Sequence, residues 1–194
     1  MREHDEVSAV AYMRAFPGEV IVCMDERNTR IVSAVDDKQA AETVFRLENL
    51  QALLGRPPRI LLAEDDNDVR WALTSLLEID GFQVCSVSNG LELVEEVSSS
   101  CFDDDETNAP DAIVTDVRMP GIYIFKIIEE MRMAGLTTPI VIVSGFDDEN
   151  VKRRAHELGT RFFSKPVDFS GLEEALLNLI EVNAATRTST PKIH

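Results

Sequence analysis

The chain has 194 residues, 44% of them hydrophobic, and a formal net charge of −16, which allows one domain of ordinary size with roughly 60 residues over. So acidic a balance excludes nucleic acid as a direct partner, because phosphate backbones are bound by Lys and Arg. No apolar run approaches the ~20 residues of a membrane span, the opening MREHDEV is no signal peptide, and Cys23, Cys85 and Cys101 are odd in number and widely spaced, which indicates neither disulfides nor zinc. A cytoplasmic protein without membrane contact is expected.

Residues 1–56 form an N-terminal extension of unknown role. Modest helical character over 7–16 is broken by Pro17-Gly18. The apolar runs VIVCM and RIVSAV then flank the polar turn Asp25-Glu26-Arg27-Asn28, a hairpin pattern. From Asp37, Ala40, Ala41, Val44, Phe45, Leu47, Leu50 and Leu54 recur at helical spacing, with Asp36 or Asp37 as N-cap and Gly55 as stop. Helix, hairpin, helix is the predicted order. One thin apolar face makes a marginal core, so the extension is expected to dock on the neighbouring domain or to pair with a second copy as a homodimer. Arg56-Pro57-Pro58-Arg59 is the linker, since two prolines cannot continue a helix.

A regular alternation follows over 57–182, where 25 of the 35 acids lie. Apolar strands are predicted at 60–63, 82–87, 111–116, 140–143 and 161–164. Amphipathic helices are predicted after Glu64-Asp65-Asp66, with Val69, Leu73, Leu76 and Leu77 on one face and Gly81 at the end, and at 91–97, 122–133, 150–158 and 170–180, with a polar, acidic loop at 98–110 that contains Asp103, Asp104, Asp105 and Glu106. Five strands alternating with five helices require right-handed crossovers, hence an α/β fold with a five-stranded parallel sheet covered by helices on both faces. Residues 183–194 are polar and expected to be a disordered tail.

A parallel sheet brings the ends of all its strands to one rim, where open α/β sheets bind ligands. Glu64 and Asp65 follow the first strand, Asp116 ends the third, Ser144 the fourth, and Lys165-Pro166 follows the fifth. Carboxylates do not crowd together without a counterion, and hard oxygen ligands that leave room for water suit Mg2+. A phosphoryl group joining Asp116 would need its charge met by that metal, by the Lys165 ammonium and by the Ser144 hydroxyl.

These motifs, Glu64-Asp65 after ILLA, Asp116 in TDVRMPG, Ser144 in VIVSG and Lys165-Pro166 in FFSKP, resemble the receiver domain of two-component response regulators. The resemblance covers about two thirds of the chain and suggests a single receiver with an N-terminal extension. It implies a flavodoxin-like fold and a bacterial phosphorelay, with Asp116 phosphorylated by a histidine kinase or histidine phosphotransfer protein. It further implies Mg2+ held by Asp65, Asp116 and the backbone carbonyl of Arg118, with Glu64 acting through water, and a cis bond before Pro166. Ser144 and Phe162 would form the switch that reshapes a surface for a downstream protein target. Arg118 and Phe146, two past the phosphoacceptor and two past the switch hydroxyl, would tune hydrolysis.

Three departures accompany the match: Tyr123-Ile124 stands where the family usually has Asp-Gly, Phe162 lacks the hydroxyl a tyrosine would bring there, and the 98–110 loop is long and acidic. Two other readings are open. A phosphohydrolase of the haloacid-dehalogenase type also forms an aspartyl-phosphate, but needs an acid two residues past the nucleophile, where Arg118 stands. An adaptor acting by binding alone would leave the acid, hydroxyl and lysine set unexplained. Neither a helix-turn-helix nor a catalytic module follows residue 180, so output through protein contacts is expected.

Overall fold

A computed structural model describes residues 11–13, 20–25, 28–34, 37–102, 109–120, 123–145 and 148–189. Gly121, Phe146, the acid run 103–106 and residues 190–194 lie outside them.

The extension opens with a three-stranded antiparallel sheet of β1 (Ala11–Met13), β2 (Val20–Asp25) and β3 (Asn28–Ala34), in the order β1-β2-β3. The hairpin is where the alternating runs placed it, closing at the pair Asp25 and Asn28, with a register shift between Ile21 and Val22. The helix expected over 7–16 is not formed at its centre: β1 pairs there with β2, Ala11 opposite Met24 and Met13 opposite Val22. A segment of that length is marginal as an isolated helix, whereas an edge next to a formed hairpin offers backbone partners at once. The predicted second helix is α1 (Asp37–Leu54).

Beyond the prolines the chain alternates as expected: β4 (Arg59–Ala63), α2 (Asn67–Asp80), β5 (Gln83–Val87), α3 (Gly90–Phe102), β6 (Ala112–Thr115), α4 (Ile124–Met133), β7 (Ile140–Ser144), α5 (Glu149–Glu157), β8 (Arg161–Ser164) and α6 (Phe169–Ser189). All four ladders are parallel and the strand order is β5-β4-β6-β7-β8. This is the doubly wound, flavodoxin-like arrangement, whose first reversal of strand order lies between β4 and β6. Central strands β4, β6 and β7 are apolar on both sides because helices cover both faces.

Three boundaries move. α3 continues five residues past Val97, and within that extension Ser99 and Ser100 turn their hydroxyls back onto the Glu96 carbonyl, where they do not compete for loop backbone. α4 starts at Ile124, buried in the core, with Tyr123 at the N-cap position. α6 runs to Ser189 rather than ending at residue 180, so the stretch expected to be a tail is helical through its first seven residues, with Ala184 buried. Alanines at 184 and 185 favour the helix and one of them finds a core to cover.

Two cores flank the sheet. One joins Leu73, Leu76 and Leu77 of α2 to Leu172, Leu176 and Ile180 of α6. The other gathers Leu93 and Val97 of α3, Ile124, Phe125, Ile128 and Met131 of α4, and Ala155 of α5. α1 belongs to the first: Leu47 and Leu50 are buried in that cluster. The Arg46 guanidinium donates to both carboxylate oxygens of Glu181 (3.0 and 2.8 Å) and to Asn178 Oδ1 (2.7 Å), fixing α1 against α6. At the other end of α1, Arg56 donates to both oxygens of the buried Asp111 carboxylate (2.6 and 3.2 Å), which also accepts the Arg59 backbone N–H (2.8 Å). α1 thus docks on the receiver, one of the two outcomes expected for the extension.

Candidate functional site

β4 ends at Ala63, and the next two residues differ in their surroundings: Glu64 is buried and Asp65 exposed. Neither is needed to start α2, because Asp66 takes the N-cap, its carboxylate accepting the N–H groups of Asp68 and Val69. At the end of α2, Gly81 adopts φ +107 and closes the helix through the carbonyls of Leu77 and Glu78, a left-handed cap suited to glycine. The acid loop is thus anchored to the sheet on one side and to a capped helix on the other. Its backbone reaches β5 through Glu64 N–H to Val87 O at 3.1 Å.

Asp116 follows β6 and its N–H donates to Ala63 O at 3.0 Å, which sets it beside the acid loop. The carboxylates of Glu64, Asp65 and Asp116 each place an oxygen within 4.8 Å of the others. Lys165 enters from the end of β8, its N–H donating to Ser144 O at 2.8 Å, and the Lys165–Pro166 bond is cis. Its Nζ donates to Glu64 Oε2 at 2.6 Å and Asp116 Oδ2 at 2.9 Å, while Asp116 Oδ1 accepts the Arg118 N–H at 3.2 Å. Glu64 Oε1 accepts the Asp66 N–H at 3.3 Å.

Electrostatics follows from that packing. Burial pushes the Glu64 carboxyl above its ordinary pKa, and the bond to Lys165 opposes this without cancelling it. Burial alone would lower Lys165, yet its bonds to Glu64 and Asp116 outweigh that and hold the ammonium above the ordinary lysine value. Among the described residues Lys165 bonds two of these three carboxylates, and a single ammonium against three acids leaves net negative charge at the rim. Oxygen donors this close, with Asp65 open to solvent, fit a hard divalent ion that keeps part of its water.

The remaining candidates are less directly joined. Ser144 is buried at the end of β7. Phe162, in β8, is half-buried against the core formed by α3, α4 and α5. Arg118 is exposed. Tyr123, at one of the departures, is exposed, and its ring meets Phe125 edge-on at 5.4 Å. One contact was not anticipated from sequence: Arg70 donates to the backbone carbonyls of Glu64 (2.6 Å) and Asp65 (3.4 Å) and to Asn67 Oδ1. The available signal was a lone base directly after four acids in EDDNDVR.

The model of the response regulator receiver domain matches residues 60–177. The chain belongs to the response regulator receiver family. Receiver domains are the phosphoacceptor modules of two-component signalling and bind Mg2+ in an acidic pocket. Sporulation initiation phosphotransferase F of Bacillus subtilis is 23% identical over 119 residues, covering 61% of this chain and 90% of that protein. The response regulator MprA of Mycobacterium sp. (strain KMS) is 28% identical over 136 residues, 70% of this chain; the match spans only 53% of that relative's length. Among solved structures, a response regulator receiver domain protein from Clostridium thermocellum superposes with a TM-score of 0.60 at 25% identity, over 66% of this chain and 98% of that one. The signal receiver domain of an HD domain-containing protein from Pseudomonas fluorescens Pf-5 gives 0.61 at 19% identity, a likeness of fold. All three regions of the site, after β4, β6 and β8, fall inside the matched span. Among the described residues no helix is long and apolar enough to cross a membrane.

Proposed function

We propose that this receiver accepts a phosphoryl group on Asp116 from a histidine kinase or histidine phosphotransfer protein in the cytoplasm, and thereby switches a surface read by a downstream protein. The observation that carries the proposal is the single Lys165 ammonium shared between Asp116 and Glu64 inside a three-carboxylate cluster. An Asp116 oxygen attacks phosphorus as the bond from phosphorus to the donor breaks. Lys165 is already within hydrogen-bond reach of the attacked position and transfers its contact from the carboxylate to the incoming phosphoryl oxygens. Asp65 and Asp116, with the Arg118 carbonyl and with Glu64 through water, would hold Mg2+, which when bound neutralises phosphoryl charge. The Ser144 hydroxyl supplies a donor, and its movement frees room for Phe162, a population shift between two packings of the core by α5.

A hydrolase of the haloacid-dehalogenase type gains no support from the site, since the position two past Asp116 carries the exposed Arg118 and no acid. The test is incubation with acetyl phosphate and Mg2+ followed by mapping of the adduct. Incorporation is expected on Asp116 alone and lost in Asp116→Asn; undiminished incorporation in that variant refutes the assignment.

A further inference from the structure

Arg70 sits in the first turn and a half of α2 and turns its guanidinium back over the loop that precedes the helix. Its three acceptors, Glu64 O at 2.6 Å, Asp65 O at 3.4 Å and the Asn67 side chain, all belong to the four residues 64–67. A planar fork with several donors can close such a loop, whereas an ammonium meets it at one point. Lys165 and Arg70 therefore do different things: Lys165 meets the carboxylates, Arg70 meets the backbone behind them.

The two acids depend on that backbone to different degrees. Glu64 is held by its own side chain, through Lys165 and the Asp66 N–H. Asp65 is exposed, and no group among the described residues hydrogen-bonds its carboxylate. Where the Asp65 carboxylate stands is decided by its backbone, and among the described residues Arg70 is the side chain that reaches that backbone. We propose that Arg70 is a positioning residue, which braces the carbonyls of the acid pair and so preorganises Asp65 for the divalent ion. This rests on the metal-binding role given to the acid pair above.

The bland alternatives make opposite predictions. If Arg70 acted only as a nearby positive charge, its removal would tighten cation binding, because a repelling charge would be gone. If it served only to stabilise α2, thermal stability would fall and ion affinity would not change. If it positions Asp65, affinity for the ion falls, and the defect is repaired by raising the ion concentration. Outer-shell partners of metal ligands contribute about 10–100-fold to affinity, and because one of the two carbonyl contacts here is long, about tenfold is expected.

The experiment titrates Mg2+ into the full chain by calorimetry and by the fluorescence of Trp71, the single tryptophan, next in sequence to Arg70 and exposed. Wild type is compared with Arg70→Met and Arg70→Lys, and each is melted without Mg2+. The expected result is a dissociation constant about tenfold weaker in Arg70→Met and a smaller loss in Arg70→Lys. Labelling by acetyl phosphate is expected to return to the wild-type rate in Arg70→Met at saturating Mg2+. Equal or tighter binding in Arg70→Met, while wild type binds, overturns the role of Arg70 and leaves the metal site standing. A wild type that binds no Mg2+ overturns the metal site and this role together.

Discussion

Replacing Leu50 by alanine tests whether α1 is part of the receiver's core or an appendage. Leu50 is 2% exposed and packs in the cluster of α2 and α6. Truncation removes about three methylene equivalents, about 2.4 kcal/mol at ~0.8 each, and the cavity left behind brings the loss to about 3 kcal/mol. For a cooperative unit of this size, each kcal/mol lowers Tm by about 2–4 °C, so a fall of about 6–12 °C is expected. The control is Phe45→Ala on the same helix. Phe45 is 63% exposed, and its loss should cost no more than about 0.5 kcal/mol. Both substitutions place alanine in the same helix, so the comparison isolates burial. Thermal unfolding followed by circular dichroism should show one transition in each. If Leu50→Ala melts like Phe45→Ala, or if a separate low-temperature step carries its whole effect, α1 is not part of the core and the receiver begins at the prolines.

The Arg56 and Asp111 pair should be costly to break from one side: among the described residues, Arg56→Met leaves the buried carboxylate with only the Arg59 N–H, and about 2–3 kcal/mol is expected in urea unfolding. Adding Asp111→Asn should restore part of that loss. Neither Arg118 nor Phe146 offers an amide or carboxylate to orient an attacking water, so the phosphoryl group on Asp116 should be long-lived. Phe146→Gln should speed its loss about tenfold, a barrier change of about 1.4 kcal/mol, read by decay of label after donor removal. A group lost within seconds in wild type, or equal rates, would refute this. Because the folded pKa of Lys165 lies above its unfolded value, its stabilisation is complete below the ordinary lysine pKa and is lost as pH rises through the raised one. In chelator, Tm should therefore fall at alkaline pH more steeply in wild type than in Lys165→Met.

The sheet and its rim were legible because both rest on short-range patterns. Short apolar runs such as IVIVS and ILLA, bounded by turn and polar residues, read as strands buried on two sides, and parallel strands put Glu64, Asp65, Asp116 and Lys165 on one edge whatever the loops do. What escaped was decided at longer range or by single hydrogen bonds. The partner of Arg46 lies 135 residues away, so the apolar face of α1 was visible while its destination was not. The serines of α3 read as loop until their hydroxyls are seen returning to Glu96 O. α6 outlasts its expected end because Ala184 meets a core, and β1 is a strand because β2 is beside it. Arg70 was overlooked because its acceptors are backbone carbonyls, which residue identity does not reveal.

The helices that wall the two faces of the sheet are fastened unequally. α6 is clamped by Leu172, Leu176, Leu177 and Ile180 and by α1, with the Arg46 fork as a bolt. α5 has a single fully buried side chain, Ala155; Val151 is half-buried against the same core, and charged ties near the surface, Arg154 to Glu129 of α4 among them, complete its attachment. Few apolar contacts oppose its displacement, and segments so held open at low free energy. A push applied at the carboxyl edge would therefore meet more buried apolar contact at α6 than at α5. If the proposed switch operates, α5 rather than α6 is the helix expected to take up its travel.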